Sequence, residues 1–319
     1  LIKKGSLILA ELLYQREVYG KTLVELGKTN TAIVVLDADL SGSTKTKLFG
    51  REYPGRFFNF GVAEQNMMAT AAGLASCGKI VFASTFAMFA AGRAWDQVRN
   101  TICYNNFNVK IVATHAGVSV GPDGASHQAI EDMAIMRAIP NLKIIIPCDG
   151  PETKDAVCAA FETPGPFYIR LGREKVPTIQ EKKPFQLGKS YVTRDGKDVS
   201  IVACGVMVCE AMKAQEALQK DGISARIINM HTLRPFDSEM IIRCARETKG
   251  IIACEEHSIT GGLASAISEI ICENSPAPVL RVGIKNRFGQ SGDPVDLFRE
   301  YNLTSDDIVS AAKTFQSVT

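Results

Sequence analysis

The amino-acid sequence predicts an α/β protein with two doubly wound domains, each built around a mostly parallel sheet. Short apolar runs rich in β-branched residues alternate with longer segments of helical length, which is typical of strands buried on both faces of a parallel sheet. The alternation is interrupted by the charged, proline-containing stretch LGREKVPTIQEKKPFQLGK at residues 171–189. The chain of 319 residues, 46% of them hydrophobic, is also long enough for two well-buried cores.

The first predicted domain, residues 1–178, contains buried strands and the helices that pack on them. The predicted strands are AIVVLDAD (32–39), KIVFAST (79–85), NVKIVATHAG (108–117) and LKIIIPCD (142–149). Length and apolar spacing predict helices over residues 64–77, 88–103 and 151–163.

The second predicted domain, residues 191–319, follows a linker at residues 179–190 and repeats the same alternation. Strands are predicted at residues 198–205, 223–230, 250–256 and 277–284, and helices at residues 206–220, 237–248 and 261–272. A closing helix is predicted over residues 304–315, because Thr304 is followed by acidic residues at the spacing of a helix cap.

Composition argues against several classes of partner. The formal charge is +2, from 36 basic and 34 acidic residues spread along the chain, so we expect no nucleic-acid surface. The most apolar region, residues 69–92, is broken by Lys79 and by glycines, which argues against a membrane span. The nine cysteines are scattered, with neither a CxxC pair nor a histidine cluster at zinc spacing. Together with an N-terminus that lacks a signal-peptide pattern, these features predict a cytoplasmic protein with reduced thiols and no metal of its own.

Glu64 is a carboxylate that precedes a run of small and apolar residues, in FNFGVAEQNMMATAAGLASCG. One interpretation is that it lies in the first turn of a helix, where the helix dipole favours an acid. The other is that a carboxylate beside tightly packed residues exchanges a proton in a functional site. The segment alone leaves both interpretations open.

Polar residues follow two of the predicted strands, where ligands of α/β sheets usually bind. The residues after the first strand are Asp37, Asp39, Ser41 and Ser43, and those after the third are His115, Asp123 and His127. The second group lies in a loop of glycines and small residues, which lets the backbone approach a ligand closely. Two of the four histidines of the chain fall in this loop, which favours a functional role over a structural one.

Aromatic and basic side chains offer further candidates. Phe86 and Phe89 are spaced three apart just after a strand, where they could stack on a planar heterocycle or simply belong to the core. Arg16, Arg170 and Arg173 could each bind a phosphate, although surface arginines are more often only solvated or paired.

Several motifs together resemble the transketolase family. FGVAEQNM, STFAMF, THAGVSVGPDGASHQAIEDMAIMRAIPNLKIIIPCDG and YIRLGRE resemble its pyrimidine-binding domain. HTLRPFD and CEEHSITGGLASAI resemble its C-terminal domain. The motifs occur in the family's order and span nearly the whole chain, so the resemblance implies a pyrimidine domain followed by a C-terminal domain.

The resemblance implies that thiamine diphosphate binds between this chain and a pyrophosphate domain. Glu64 would hydrogen-bond the ring nitrogen of the aminopyrimidine and share the proton that activates the cofactor. Phe89 would lie under the pyrimidine, Phe86 would complete the aromatic wall, and Asp39 would lie near the cofactor or the sugar.

The resemblance also implies a set of substrate contacts. His115 and His127 would contact substrate hydroxyls and the developing oxyanion, and Asp123 would contact a sugar hydroxyl. The predicted contacts to the sugar phosphate are Arg16, Ser43 and Arg173, with Arg170 as the second choice to Arg173. The implied reaction transfers a two-carbon ketol unit from a ketose phosphate to an aldose phosphate, as in the pentose phosphate pathway.

The sequence departs from the family in two places. Pro122 stands before Asp123, where the family usually has an acid, and it stiffens the loop. No GDG followed at a distance by Asn, the motif that holds the metal and the diphosphate, occurs in the chain. The resemblance therefore implies an N-terminal subunit that carries the pyrophosphate domain and binds Mg²⁺ or Ca²⁺, in a heterotetramer with two copies of each chain. A fragment of a full-length enzyme is the alternative.

Three rival interpretations differ in their expected motifs. Deoxyxylulose-phosphate synthases resemble DRAG where this chain has THAG, so His115 favours transketolase. The β subunits of 2-oxoacid dehydrogenases have a similar length but do not carry GxDGxxHQ followed by RAIPNL. A non-catalytic subunit that kept the fold would be expected to lose some of the glutamate, the loop histidines and the arginines, which are all present.

Overall fold

The computed structural model describes residues 11–179 and 184–315. The first ten residues, part of the predicted linker and the last four residues lie outside the described ranges. The strands are β1 (Leu12–Tyr14), β2 (Ile33–Asp37), β3 (Phe57–Asn59), β4 (Ile80–Phe86), β5 (Val109–Thr114), β6 (Lys143–Ile145), β7 (Phe167–Arg170), β8 (Lys175–Pro177), β9 (Tyr191–Arg194), β10 (Val199–Ala203), β11 (Ala225–Asn229), β12 (Thr232–Arg234), β13 (Ile251–Ser258) and β14 (Val279–Ile284).

The α-helices alternate with these strands along the chain. They are α1 (Gln15–Thr29), α2 (Ser41–Thr44), α3 (Lys47–Glu52), α4 (Glu64–Ser76), α5 (Asp132–Arg137), α6 (Gly150–Glu162), α7 (Met207–Lys220), α8 (Ser238–Glu247), α9 (Leu263–Asn274), α10 (Pro294–Glu300) and α11 (Ser305–Thr314). None of the helices in the described ranges is long and apolar enough to cross a membrane.

The strands form two larger sheets and one short pair. The first sheet has the order β12-β6-β7-β5-β4-β2-β3, and its neighbours are parallel except for the antiparallel pair of β12 and β6. The second has the order β14-β13-β10-β11-β9 and is parallel except for β9. Strands β1 and β8 pair antiparallel beside the first sheet. The predicted fold class, two α/β domains with mostly parallel sheets, is confirmed.

Local sequence signals account for most of these elements. All five residues of β2 are buried, as expected for a continuous apolar run inside a parallel sheet. Helix α6 begins where the Asp149 side chain accepts a hydrogen bond from the Glu152 N–H. The predicted closing helix is present as α11, with a capping box in which Thr304 and Asp307 bond reciprocally.

Residues 88–103 depart from the predicted regular helix. The chain winds in wide π-helical turns over Phe89–Arg93 and Gln97–Cys103, where backbone N–H groups reach carbonyls five residues back. Such wide turns are rare and often mark functional sites, because they redirect side chains relative to an α-helix. Here they bring Phe89 and Arg93 toward the start of α4.

The short strand β12 joins the two halves of the chain. Thr232 and Arg234 pair with β6, so a segment beyond the predicted linker forms an edge of the first sheet. One hydrophobic core also includes side chains from both large sheets, among them Ile111 of β5 and Val202 of β10. The two halves therefore bury apolar surface against each other and hold the loops between them in place.

Candidate active site

Glu64 is the first residue of α4, and its carboxylate is buried. The side chain is 1% exposed, and Arg93 Nη1 donates to both carboxylate oxygens, at 2.8 Å to Oε1 and 2.9 Å to Oε2. Burying a charged carboxylate is costly unless it is paired and hydrogen-bonded, so Arg93 stabilises Glu64 where it lies. Glu64 thus lies in the first turn of a helix, as the first sequence interpretation expects. It is also buried and paired, as the second interpretation, a carboxylate in a functional site, expects.

An aromatic wall adjoins this ion pair. The rings of Phe86 and Phe89 are stacked, with centroids 6.0 Å apart and planes inclined by 16°. The guanidinium of Arg93 lies over the Phe89 ring, 4.3 Å from its centroid, while it donates to Glu64. A planar group that donates hydrogen bonds can therefore contact the Phe89 face and the Glu64 carboxylate together. An aminopyrimidine is also planar, and its ring nitrogen would donate to the carboxylate when it carries the shared proton, so these residues fit that half of thiamine diphosphate.

The two loop histidines meet the aromatic wall from the end of β5. The ring of His115 stacks on Phe86 with centroids 3.8 Å apart, and its Nδ1 lies 2.9 Å from Thr114 Oγ1. The ring of His127 meets Phe89 edge-on at 5.3 Å. Burial, reinforced by the charges of Arg16 and Arg173 and by His127, lowers the pKa of His115 to about 3. His115 is therefore neutral at physiological pH.

The neutral state of His115 has a measurable consequence for stability. Below pH 6.5 the unfolded chain takes up a proton at this position while the folded chain does not, so folding stability falls as the pH decreases. At pH 5 the contribution of one such histidine is about 2 kcal/mol. We expect the unfolding free energy of His115→Gln to fall less than that of the wild type between pH 7.5 and pH 5, by about this amount, in urea titrations.

His231→Gln is the matched control for this experiment. Burial lowers the pKa of His231 to about 4, so its replacement should flatten the pH dependence to a similar extent. Parallel curves for the wild type and His115→Gln, with a flatter curve for His231→Gln, would contradict the assignment of His115 as a neutral, buried ring.

Two arginines and their partners form a basic region near the histidines. Arg16 Nη1 donates to the Ser43 carbonyl at 3.1 Å. Arg173 Nη1 donates to the Val120 carbonyl and lies 3.9 Å from Asp123 Oδ1. Burial lowers the pKa of Arg16, and the charge of Arg173 acts in the same direction. Arg173 Nε also lies 3.8 Å from Glu174 Oε1. The two guanidinium groups are suited to bind an anion, and the Asp123 and Glu174 carboxylates lie beside Arg173.

Asp39 lies at the exposed end of β2, in a left-handed conformation with φ 64°. Its N–H donates to Asn59 Oδ1 at 3.0 Å, and Asn59 Nδ2 donates back to Asp39 Oδ1 at 3.2 Å. The structure thus brings the rings of Phe86, Phe89, His115 and His127 together, and Arg93 connects Glu64 to them. The predicted phosphate and sugar contacts lie beside this group: Arg16, Ser43, Asp123 and Arg173. Asp39 lies outside both groups, because its two hydrogen bonds are to Asn59.

Arg170, the second choice for the phosphate, is buried in the interior. Its Nε donates to Asp132 Oδ2 at 2.8 Å, and its Nη2 donates to the carbonyls of Ala129 and Glu256. Burial raises the pKa of Asp132, but the Arg170 charge, His257 and the hydrogen bonds from Arg170 and Tyr168 together outweigh burial and leave the pKa below its usual value. Arg170 is therefore a structural partner of Asp132 rather than a free phosphate ligand.

Sequence reasoning missed two residues that the structure places at the site. Arg93 is not among the predicted site residues, although it stands four residues after Phe89, a spacing that puts both side chains on one side of a helix. Glu256 accepts a hydrogen bond from the Ser119 N–H of the histidine-containing loop, across 137 residues of sequence. No local pattern indicates a contact of that separation.

Comparison with known proteins identifies both halves of the chain. Residues 13–178 match the pyrimidine-binding domain of transketolase, and residues 188–308 match the transketolase C-terminal domain. A Methanocaldococcus jannaschii protein, provisionally named a transketolase C-terminal section, is 50% identical over 92% of this chain and 93% of its own length. A solved structure described as a split gene transketolase, inactive β4 tetramer, shares 50% identity and superposes with a TM-score of 0.89 over 96% of this chain and 99% of its own.

Full-length relatives are about twice as long. Transketolase of Rattus norvegicus is 37% identical over 93% of this chain, which covers 48% of the rat protein. This chain therefore corresponds in length to about one half of the rat transketolase. With its pyrimidine-binding and C-terminal domains in their usual order, the chain belongs to the transketolase family.

Proposed function

We propose that this chain is the C-terminal subunit of a transketolase and that, with a partner that carries the pyrophosphate domain, it transfers a two-carbon ketol unit from a ketose phosphate to an aldose phosphate. The observation that carries the proposal is the buried Glu64 carboxylate beside the Phe86 and Phe89 wall. The two histidines and two arginines that adjoin this wall supply contacts suited to a phosphorylated sugar.

Each residue group has a distinct task in the proposed reaction. When bound, thiamine diphosphate supplies a nucleophilic carbon and an electron sink for breaking and forming a carbon–carbon bond. Glu64 would bind the ring nitrogen of the pyrimidine and hold a proton there, while Phe89 orients the ring by stacking. His115 is neutral and His127 is partly exposed, so both can hydrogen-bond substrate hydroxyls and a developing negative charge on the substrate oxygen.

Arg93 must give up its bond to Glu64 for this to happen. Its guanidinium covers the Phe89 ring and occupies the Glu64 carboxylate, the two groups that would hold the aminopyrimidine, and its side chain is 46% exposed. A displacement toward solvent would free the carboxylate and the ring face together.

The remaining part of the cofactor site belongs to the proposed partner. Within the described ranges, no group of three or more His, Cys, Asp or Glu side chains could hold a metal ion. We propose that the partner binds Mg²⁺ or Ca²⁺ with the diphosphate, and that two copies of each chain form a cytoplasmic heterotetramer of the pentose phosphate pathway. A requirement for a second kind of chain is supported by the solved split gene transketolase, a tetramer of one kind of chain that is described as inactive.

Calorimetric titration tests this assignment. Thiamine diphosphate with Mg²⁺ is titrated into this chain alone, and then into its mixture with a pyrophosphate-domain chain, followed by a ketol-transfer assay. We expect binding and turnover only in the mixture. Tight binding by the isolated chain would show a complete diphosphate site within it and would contradict the half-site proposal.

Arg173 should contribute to the affinity for phosphorylated sugars. Loss of a hydrogen bond to a charged group costs about 1.5 to 3 kcal/mol, so Arg173→Ala should raise KM for sugar phosphates by about 10- to 150-fold. The effect on non-phosphorylated sugars should be much smaller. Steady-state kinetics of the reconstituted complex measure both values, with Arg299→Ala, which removes an exposed arginine paired with Asp296, as the control. An equal rise for both substrate types would contradict the phosphate contact.

A further inference from the structure

Residues of the C-terminal half of the chain contact a loop of the first domain that carries two predicted substrate contacts. We call residues 117–128, which include Asp123 and His127, the substrate loop. At its far end, Gln128 Nε2 donates to the Gln290 carbonyl at 2.9 Å and to the Val118 carbonyl at 3.1 Å. A Cβ at Gly124 would lie 2.6 Å from Ser291 Oγ, so the loop also packs closely on residues beyond β14.

Glu256 of β13 contacts the near end of the same loop. Its carboxylate Oε1 accepts from the Ser119 N–H at 2.6 Å, and the residue is 3% exposed. Gly117 lies against this carboxylate with φ 81°, and a Cβ there would be 2.2 Å from Glu256 Cδ. Only glycine allows both this backbone conformation and this approach.

Hydrogen bonds from residues of the first domain hold Glu256 and its strand in position. Arg170 Nη2 donates to the Glu256 carbonyl at 3.1 Å and to the Ala129 carbonyl, just past the substrate loop, at 3.2 Å. The Ser258 N–H donates to the Ile130 carbonyl at 2.8 Å. Strand β13 and both ends of the loop therefore form one hydrogen-bonded unit.

Keeping a carboxylate in this place is unfavourable in itself. Burial raises the pKa of Glu256 to about 7, against the opposing effects of Arg170 and the Ser119 N–H. An amide would carry a smaller penalty than a carboxylate, and an apolar side chain would carry none. The carboxylate bonds directly to the backbone at the start of the turn Val118–Asp123, which ends at a predicted sugar contact.

We propose that Glu256 is a positioning residue: by holding the Ser119 N–H, its carboxylate sets where the substrate loop presents Asp123 and His127 to the sugar. The inference deepens the proposed function and rests on it. It gives the C-terminal domain a part in substrate binding, although that domain contributes no side chain to the cofactor half of the site among the described residues.

The test uses Glu256→Ala and Glu256→Gln in the reconstituted complex. Glu256→Ala should raise KM for the sugar phosphates by about 10- to 100-fold and leave the Kd of thiamine diphosphate unchanged, since the loop contacts the sugar. Its Ser119 amide should exchange hydrogen faster than in the wild type. Glu256→Gln keeps an acceptor oxygen of the same size at the same place, so it should restore most of both properties.

Glu255→Ala provides the matched control. Glu255 is equally buried in the same strand, but its carboxylate accepts from the N–H groups of Leu263 and Ala264 at the start of α9. Its replacement should lower stability without a specific change in KM or in exchange at Ser119.

Two results would overturn the inference. One is unchanged KM and unchanged exchange at Ser119 in a folded Glu256→Ala variant. The other is a loss of cofactor affinity as large as the loss of substrate affinity. A wild-type complex without ketol transfer would instead refute the proposed function, and the exchange rates of the folded chain would still decide whether Glu256 holds the loop.

Discussion

Glu64→Gln in the assembled complex is expected to lower kcat by about 10²- to 10⁴-fold, the usual contribution of a positioned acid–base group. Glutamine preserves the size of the side chain and can still accept a hydrogen bond from Arg93 before the cofactor binds, so the site should keep its shape. It cannot exchange a proton with the ring nitrogen of the pyrimidine. Turnover should therefore fall much more than the affinity for thiamine diphosphate, and ketol-transfer kinetics with calorimetry measure the two separately.

Glu25→Gln is the control for this variant. Glu25 is an exposed carboxylate paired with Lys154 on the surface, so its replacement should leave both quantities near their wild-type values. Unchanged turnover in Glu64→Gln would show that the carboxylate only balances Arg93, and would favour a non-catalytic subunit that has kept the transketolase fold. Large and equal losses of turnover and cofactor binding would point to a purely structural role.

Sequence patterns predicted those parts of the fold that local chemistry decides. The buried runs at β2, β4 and β5 and the capping box of α11 all depend on residues within a few positions of one another. In each case the signal and the structure it specifies lie in the same segment.

Contacts between distant segments could not be predicted in the same way. The pairing of β12 with β6 depends on how the second half of the chain docks on the first, which no turn or apolar run encodes. The same is true of the contact between Glu256 and Ser119. It is also true of Arg170, whose position at the end of β7 is equally compatible with a ligand site. Only the fold shows that the guanidinium of Arg170 pairs with the buried carboxylate of Asp132 and is therefore not free to bind a substrate.

Arg170→Met should destabilise the chain by about 3 to 5 kcal/mol, because it leaves the Asp132 charge buried without its partner. Asp132 is 2% exposed, and of its side-chain hydrogen bonds within residues 11–179 and 184–315 it would keep the one that the Tyr168 hydroxyl donates to Oδ2 at 2.8 Å. The variant also loses the guanidinium bonds to the Ala129 and Glu256 carbonyls. Urea unfolding at pH 7.5 measures the difference in free energy of unfolding.

Two further variants separate the buried charge from lost packing. Adding Asp132→Asn to Arg170→Met removes the unpaired charge and keeps an acceptor for Tyr168, so the double variant should be more stable than Arg170→Met alone. Arg299→Met, at an exposed ion pair with Asp296, should cost less than about 1 kcal/mol. If Arg170→Met proved no more damaging than Arg299→Met, the ion pair would not stabilise the junction between the two halves. If the double variant gained nothing, lost packing and lost carbonyl bonds would explain the damage instead of the buried charge.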